Sequence, residues 1–561
     1  MSTYSNLKIE LIGTGEQDGT WGNTTNTNLG TALEEAIVGT VDQAVTASNL
    51  TLALTDSNAT QVARHLRLNL TGSSGGASNL VVPTLANGKN YYIKNSSNTA
   101  ITVKTASGSG ILVPAGKSAS LYQDGTNVVE AADYSSAAYT FASDITVNGV
   151  TVGKGANSVA NNTVLGDDAL DAAVTGDNNV AIGKSALTAN TSGANNTAVG
   201  FNAALSNTTG GIDAFGRDAG RSNTTGAANL AVGETALYNN TTGASNTAIG
   251  RESLNANTTG PSNTAVGYQS LSAGTTGNRN VAVGYQAMGT GVNTGQKNIA
   301  IGYQAGKPIT SGVRNVVIGD EAGLAMTTGG TNTIVGTEAG NAITTTGDNT
   351  IVGNEAGKET TTTLTAFGAF AGHDHVDGYN NTLIGRYAGR EITNGHSNTV
   401  LGHASLQTAT TAVTNTALGM HSMRLTTTGS DNVAVGHEAL DKNTTGGNNT
   451  AVGKSALIAN TTAGFNTAVG DKAMQTNTTG TNNTAIGHQA LNKNTTGGLN
   501  TGLGLNALYN NTTGTVNTAV GHSALKANNT GGYNVAIGHE SMLANTTGIT
   551  NTALGNNALR G

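Results

Sequence analysis

Asn449-Thr450-Ala451-Val452-Gly453-Lys454-Ser455-Ala456-Leu457-Ile458-Ala459-Asn460-Thr461-Thr462-Ala463-Gly464-Phe465 is followed at once by Asn466-Thr467-Ala468-Val469-Gly470. The phrase N-T-A-V-G-x-x-A-L-x-x-N-T-T-G-x-x runs 24 times from Asn162 to the last residues, anchored on glycines from Gly166 to Gly555. Of the 23 intervals between anchors, 20 are 17 residues long. The exceptions are 16 (Gly200 to Gly216), 18 (Gly284 to Gly302) and 15 (Gly353 to Gly368). A fixed period of this length predicts a coil that stacks on copies of itself. Residues 162–561 are therefore expected to form a parallel β-roll or β-solenoid rod of 24 coils.

Positions within a coil are counted from its anchor glycine. Asn stands at −4 in 22 of 24 coils; Ile212 and Leu364, in the two shortened coils, are the exceptions. An Asn repeated at one corner suits a left-handed turn and a stacked amide ladder. Asn449, Asn466 and Asn483, with Gly453, Gly470 and Gly487, represent this predicted structural ladder. Position −1 is always Val, Ile, Leu or Phe, and +3 is always Ala or Ser. The small residue at +3 implies a close approach. Position +4 is Leu or Met in 16 coils, Gly in 7 and Ala once. Large residues at +4 precede Ala or Gly at −2 of the next coil. Gly at +4 mostly precedes Val, Ile or Leu there, as in Gly306 to Val317 and Gly389 to Val400. Gly220 and Gly357, followed by Ala231 and Ala366, break the rule. Constant total volume predicts one shared packing space.

In Thr-Ala-Val, neighbouring side chains point to opposite faces. The −2 and −1 columns are both apolar, so both faces are expected to be buried. One closes the coil and the other meets sister chains. At about 4.8 Å per stacked strand, the rod would be roughly 115 Å long if each chain coils on itself.

Composition supports an ordered rod of low charge density. The 561 residues include 79 Gly, 4 Pro and no Cys, with 11% charged residues against a usual quarter. The net charge of −7 gives no basic footprint for nucleic acid. Absence of Cys excludes disulfides and thiolate metal sites. The amino-terminal stretch lacks a basic region followed by an apolar run, so no secretion signal is expected.

Residues 1–130 do not repeat and read as a separate head, with 131–161 as linker and first cap. Lys8–Ile12 reads as a strand, Gly13–Gly22 as a loop carrying Trp21. Thr27-Asn28 caps a predicted helix from Leu29 to Val38, with Leu29, Leu33, Ala36 and Ile37 on one face. Strands are expected at Leu50–Leu54, Leu66–Leu70, Tyr91–Lys94, Ala100–Lys104, Gly110–Val113, Ala119–Tyr122 and Val128–Glu130. Turn dipeptides between them point to an antiparallel β-sandwich-like head. The whole chain is expected to be all-β with one short helix.

The N-T-A-V-G-x-x-A-L coils resemble the N-S-V-A-I-G-x-x-A repeats of trimeric autotransporter adhesin heads. That resemblance implies a trimer of parallel β-rolls, although the coil here is longer and no membrane-anchor barrel follows. The overall layout is similar to bacteriophage tail fibers of the marine phage type. This likeness rests on Gly19-Thr20-Trp21-Gly22 through Leu29 and Leu33-Glu34, and on Pro114-Ala115-Gly116 with Asp124-Gly125-Thr126-Asn127-Val128. It implies a homotrimeric virion protein, extracellular when acting. Its head, through Trp21, Leu29 and Leu33, would bind phage tail or adaptor proteins. The rod would bind a host-surface glycan or protein. Such proteins often end in a self-cleaving trimerisation chaperone. Ending at Leu559-Arg560-Gly561 within a repeat implies its removal, or completion of assembly by another protein.

No nucleophile–base–acid set is visible, no cofactor motif occurs, and no enzyme is expected. Glu321, Glu338, Glu355 and Glu438, all at +2, read as a solvated column rather than a paired-carboxylate cleft. His373-Asp374-His375 offers an alternating pair that a threefold axis would convert into a six-imidazole metal site; a surface loop is the competing reading. Position +1 is varied and polar, hence outward. His522, Tyr533, His539 and Arg560 are the candidate receptor contacts. Two other classes remain open: a secreted adhesive or ice-binding solenoid presenting regular Thr columns, and a passive spacer carrying a separate receptor-binding protein.

Overall fold

The computed structural model describes residues 3–4, 10–11, 28–46, 49–57, 59–73, 78–132 and 143–561. The chain divides into two compact units, Met1–Phe141 and Ala142–Gly561. It is all-β, and the second unit is a parallel β-solenoid.

The first unit begins with the pair β1 (Thr3–Tyr4) and β2 (Glu10–Leu11), followed by a helical segment, Asn28–Ile37. Trp21 and the loop Gly13–Gly22 lie outside the described residues, as does the side chain of Leu29. The expected inward face of the helix is reversed at its described residues. Ala32 and Glu35 are buried, while Leu33 and Ile37 are exposed and Ala36 is half-buried. The cause is electrostatic: Arg64, itself buried, lies 3.4 Å from Glu35 Oε2 and draws that side of the helix inward. Lys89 Nζ donates to the Arg64 carbonyl in the same cluster. Burial pushes the Lys89 ammonium down to about 8.

Nine strands follow: β3 (Thr40–Ala44), β4 (Leu50–Thr51), β5 (Arg67–Thr71), β6 (Ser78–Val81), β7 (Lys89–Asn95), β8 (Ile101–Lys104), β9 (Gly110–Val113), β10 (Ser118–Gln123) and β11 (Val128–Ala132). They form two sheets, ordered β11-β10-β7-β5-β3 and β4-β6-β8-β9. The chain alternates between the sheets from β3 to β8, and the pairs β3–β5, β5–β7, β4–β6 and β6–β8 are parallel. Only β7–β10, β10–β11 and β8–β9 are antiparallel. The head is thus a mixed two-sheet sandwich whose first half winds like a short coil. β3 and β6 are strands the sequence reading did not place. Its core includes Leu68, Leu70, Tyr91, Ile93, Val103 and Leu121.

In the second unit the hairpin β12 (Ile145–Val147) and β13 (Val150–Gly153) pairs antiparallel with β14 (Thr163–Gly166). From there every strand is parallel and in register to β37 (Thr552–Leu554), completing a 26-stranded sheet. A typical step pairs Thr450 with Thr467, Ala451 with Ala468 and Val452 with Val469. Each coil supplies one strand of three or four residues; the rest is turn, stacked by backbone bonds such as Leu457 N to Ala473 O (3.0 Å).

The −4 asparagines form the expected ladder inside the wall. Asn466 N donates to Asn449 Oδ1 (3.0 Å), and Asn466 Nδ2 donates to Gly480 O (2.9 Å). Their backbone is not left-handed. That conformation falls on the residue before, such as Phe465 at φ +58°, and on +2 and +4, such as Ser455 and Leu457 at +53° and +52°. A second ladder, at +7, was not anticipated. Asn460 Nδ2 donates to Asn443 Oδ1 (2.8 Å) and to Ala463 O (2.9 Å), and Asn477 continues the row.

The volume rule has a fuller form than the sequence reading gave it. In six of the seven coils with Gly at +4, the +7 Asn is replaced by Ile309, Met326, Ile343, Thr360, His375 or Ile392. A Cβ on Gly306 would lie 2.6 Å from Ile309 Cδ1; on Gly340, 3.0 Å from Ile343 Cδ1 and 3.2 Å from Ile334 Cδ1. The +7 side chain of the same coil therefore shares the space with the −2 columns. The two exceptions are also resolved. The space beside Gly220 is filled by Ile212, and a Cβ on Gly357 would lie 2.9 Å from Leu364 Cδ2. The two coils that lack the −4 Asn thus supply the apolar group that these glycines need.

Two stability predictions follow from this packing. Leu457→Gly should cost about 2–5 kcal/mol, and adding Asn460→Ile should recover at least half of that in melting experiments; additive losses would refute the shared space. Gly470 has φ +139°, and an added Cβ would lie 2.5 Å from Gly487 O. Gly470→Ala should cost about 1–3 kcal/mol. Amide exchange should show protection lost around the substituted coil well before distant coils.

Candidate functional site

The strand Thr-Ala-Val sorts its side chains by alternation. Ala at −2 faces the interior, as Ala451 and Ala468 do, while Thr at −3 and the apolar residue at −1 face outward. Because the strands are in register, the −1 residues form one apolar stripe along the outer sheet face. They are half-buried or exposed in the single chain, up to 47% at Leu401 before the last coil and 76% at Leu554 in it. The second face expected to be buried is therefore the one left uncovered by the chain's own fold.

After the glycine, the +1 side chain projects outward and neighbouring coils stack it on its counterpart. Tyr268, Tyr285 and Tyr303 form a row with ring centroids 5.3 and 5.2 Å apart. Beside it, Gln286 Nε2 donates to Gln269 Oε1 (2.7 Å) and Gln304 Nε2 to Gln286 Oε1 (3.1 Å). Stacked rings cover one another's faces and turn their edges to solvent. Such a row offers hydroxyl and amide groups at a fixed repeat rather than broad aromatic platforms.

Of the anticipated contact residues, His522 and His539 stack with centroids 5.0 Å apart and are exposed. Arg560 joins this group through Glu540, its Nη2 lying 2.9 Å from Oε2. Tyr533 is exposed but belongs to a different column, −5. That column changes character along the chain. From Asn161 to Asn448 it holds only polar or small residues; in the last six coils it holds Phe465, Leu499, Val516 and Tyr533. Phe465, Leu499 and Tyr533 are 61–63% exposed. All four adopt φ between +56° and +61°. Bulky residues seldom occupy that region, so this apolar corner is maintained against backbone preference. Column-by-column comparison at −5 would have found Phe465, Leu499 and Val516.

The His373/His375 pair does not converge on one ion. Position +7 points into the coil, so His375 is fully buried, with Nδ1 2.9 Å from Thr360 Oγ1 and Nε2 3.0 Å from Asn381 Nδ2. His373 is only partly buried, its Nε2 3.1 Å from Glu355 Oε2. Glu355, Glu338 and Lys358 form an ion-pair group on the outer wall. Of the other +2 carboxylates, Glu438 adjoins histidines and Glu321 has its backbone in the same left-handed turn. Compared with protein-family models and with curated protein sequences, the chain matches none. Among the described residues no helix is long and apolar enough to cross a membrane.

Burial holds His375 neutral, lowering it from 6.5 to about 4. The unfolded chain therefore binds a proton that the folded chain refuses between those values. The folded state is unaffected above pH 6.5 and loses stability as pH falls toward 4, by up to about 3 kcal/mol. His375→Ile, the residue found at this position in three other coils, should remove that acid-sensitive part of the melting curve. An unchanged pH dependence would show that His375 is not its source.

Proposed function

We propose that the protein is a homotrimeric virion fiber of the phage tail type. In this reading the first unit attaches to tail or adaptor proteins, and the solenoid presents contact columns to a host-surface glycan or protein. The observation that carries it is the uncovered −1 stripe. An unbroken apolar column of Val, Ile, Leu and Phe over two dozen coils is far larger than a soluble monomer ordinarily leaves in water. Identical chains related by a rotation axis would cover it with the same residues from each copy. The change at −5 supports contact in the carboxyl-terminal coils, where Phe465, Leu499, Val516 and Tyr533 replace polar residues. Repeated shallow contacts along such a surface gain strength by valency.

Light scattering of the full chain should give three times the 55.8 kDa chain mass, and Val452→Lys with Val469→Lys should weaken assembly. Labelled protein should bind intact bacterial cells of a susceptible strain. The triple variant Phe465→Asn, Leu499→Asn, Tyr533→Asn should keep its mass and melting point but bind at least tenfold more weakly. Asn already occupies this column in other coils, so the variant tests contact rather than folding. Undiminished binding would favour the spacer reading. A stable soluble monomer would defeat the fiber reading and favour an adhesive or ice-binding solenoid, which the parallel outward Thr and Val columns also support.

A further inference from the structure

Two groups on the solenoid's outer wall bring two imidazoles and a carboxylate together: His421, His437 and Glu438, and His522, His539 and Glu540. In each group the ligating atoms lie within 4.8 Å of one another. The groups differ in ring geometry and in the state of the carboxylate. His522 and His539 are stacked at 12°, and Glu540 is engaged by Arg560. His421 and His437 are tilted by 41° with centroids 6.3 Å apart, and no Arg or Lys is paired with Glu438 among the described residues.

The first group also has a nitrogen without a hydrogen bond. The His437 ring is 38% exposed, but its Nδ1 atom is shielded from solvent and makes no hydrogen bond; Glu438 Oε2 lies 3.6 Å away, beyond bonding distance. A buried nitrogen left in that state is costly. Glu438 Oε2 is itself oriented by Ser455 Oγ at 3.2 Å, the kind of outer support that metal-binding carboxylates receive. The nearby cation Arg424 is neutralised by Asp441, with Nη2 to Oδ2 at 3.1 Å.

We propose that His421, His437 and Glu438 bind one divalent transition-metal cation of the zinc class. Two imidazoles and one carboxylate form a donor set suited to zinc, with at least one coordination position left to solvent. Ligands on a tetrahedral zinc lie about 3.4 Å apart, so modest side-chain rotation must close the present separations. The ion would join two successive coils, because His421 follows Gly419 and the other two donors follow Gly436. This inference stands independently of the fiber reading.

Zinc titration of the full chain by calorimetry, with cobalt substitution read in the visible spectrum, tests it. Wild type should bind one equivalent that His421→Ala, His437→Ala and Glu438→Gln each weaken at least tenfold. The cobalt bands of a low-symmetry site should disappear with it. The double variant His522→Ala, His539→Ala should retain both signals. Folding is guarded by the repeat itself: Ala404 occupies the column of His421, Ala369 that of His437, and Gln489 that of Glu438. Zinc should also raise the melting temperature of wild type but not of the three variants. Absence of binding, or binding that the three substitutions leave unchanged, would overturn the proposal.

Discussion

The interior of a 17-residue coil holds a narrow apolar core of Ala, Leu, Ile, Val and Met, and it must still satisfy the backbone groups of its own corners. Asparagine meets that demand. At −4 its carbonyl oxygen accepts from the next coil's backbone N–H, while its amide donates to a turn carbonyl, as Asn466 does with Gly480. Each coil thereby completes its neighbour. Buried polar groups in a low-dielectric interior are tolerable only when paired, and here the pairing exists only because the coils repeat in register. The anchor glycines, the small +3 residues and the strand register all serve that stacking. An isolated coil would leave these amides unmatched, so the array stabilises itself by succession.

Much of this was legible in the sequence because repetition makes one chain its own set of comparisons. The anchor glycine, the Asn at −4 and the small residue at +3 were visible as columns, and the parallel solenoid follows from them. The second amide row was missed because Asn460 sits in an Asn-Thr-Thr stretch that reads equally well as turn chemistry. Only the inward direction of position +7 distinguishes the two. His375 was misread for the same reason: its neighbour His373 faces outward, and sequence spacing alone does not show that the wall passes between them.

The head was harder to read because its winding has no constant period. β3, β5 and β7 begin at Thr40, Arg67 and Lys89, so parallel neighbours are separated by unequal connections. Short alternating strands with tight turns then look antiparallel. The helix face was reversed by a long-range ion pair, Glu35 with Arg64, which local apolar spacing cannot reveal. Among candidate contacts, His522 and His539 stand out by their column, whereas at −5 only Tyr533 was singled out, although the same column comparison shows Phe465, Leu499 and Val516; its left-handed geometry then marks Phe465 and Val516 as unusual there.

The bonds that join one coil to the next, including the strand ladder and both amide rows, connect residues about one period apart. They therefore lie along the stacking direction and carry an axial pull in series. The tensile strength of such a stack is that of its least-bonded junction, not the sum over all junctions. Adding coils lengthens the stack without weakening the existing links, whereas one defective junction limits the whole. That asymmetry gives every coil the same mechanical importance, wherever it stands in the chain.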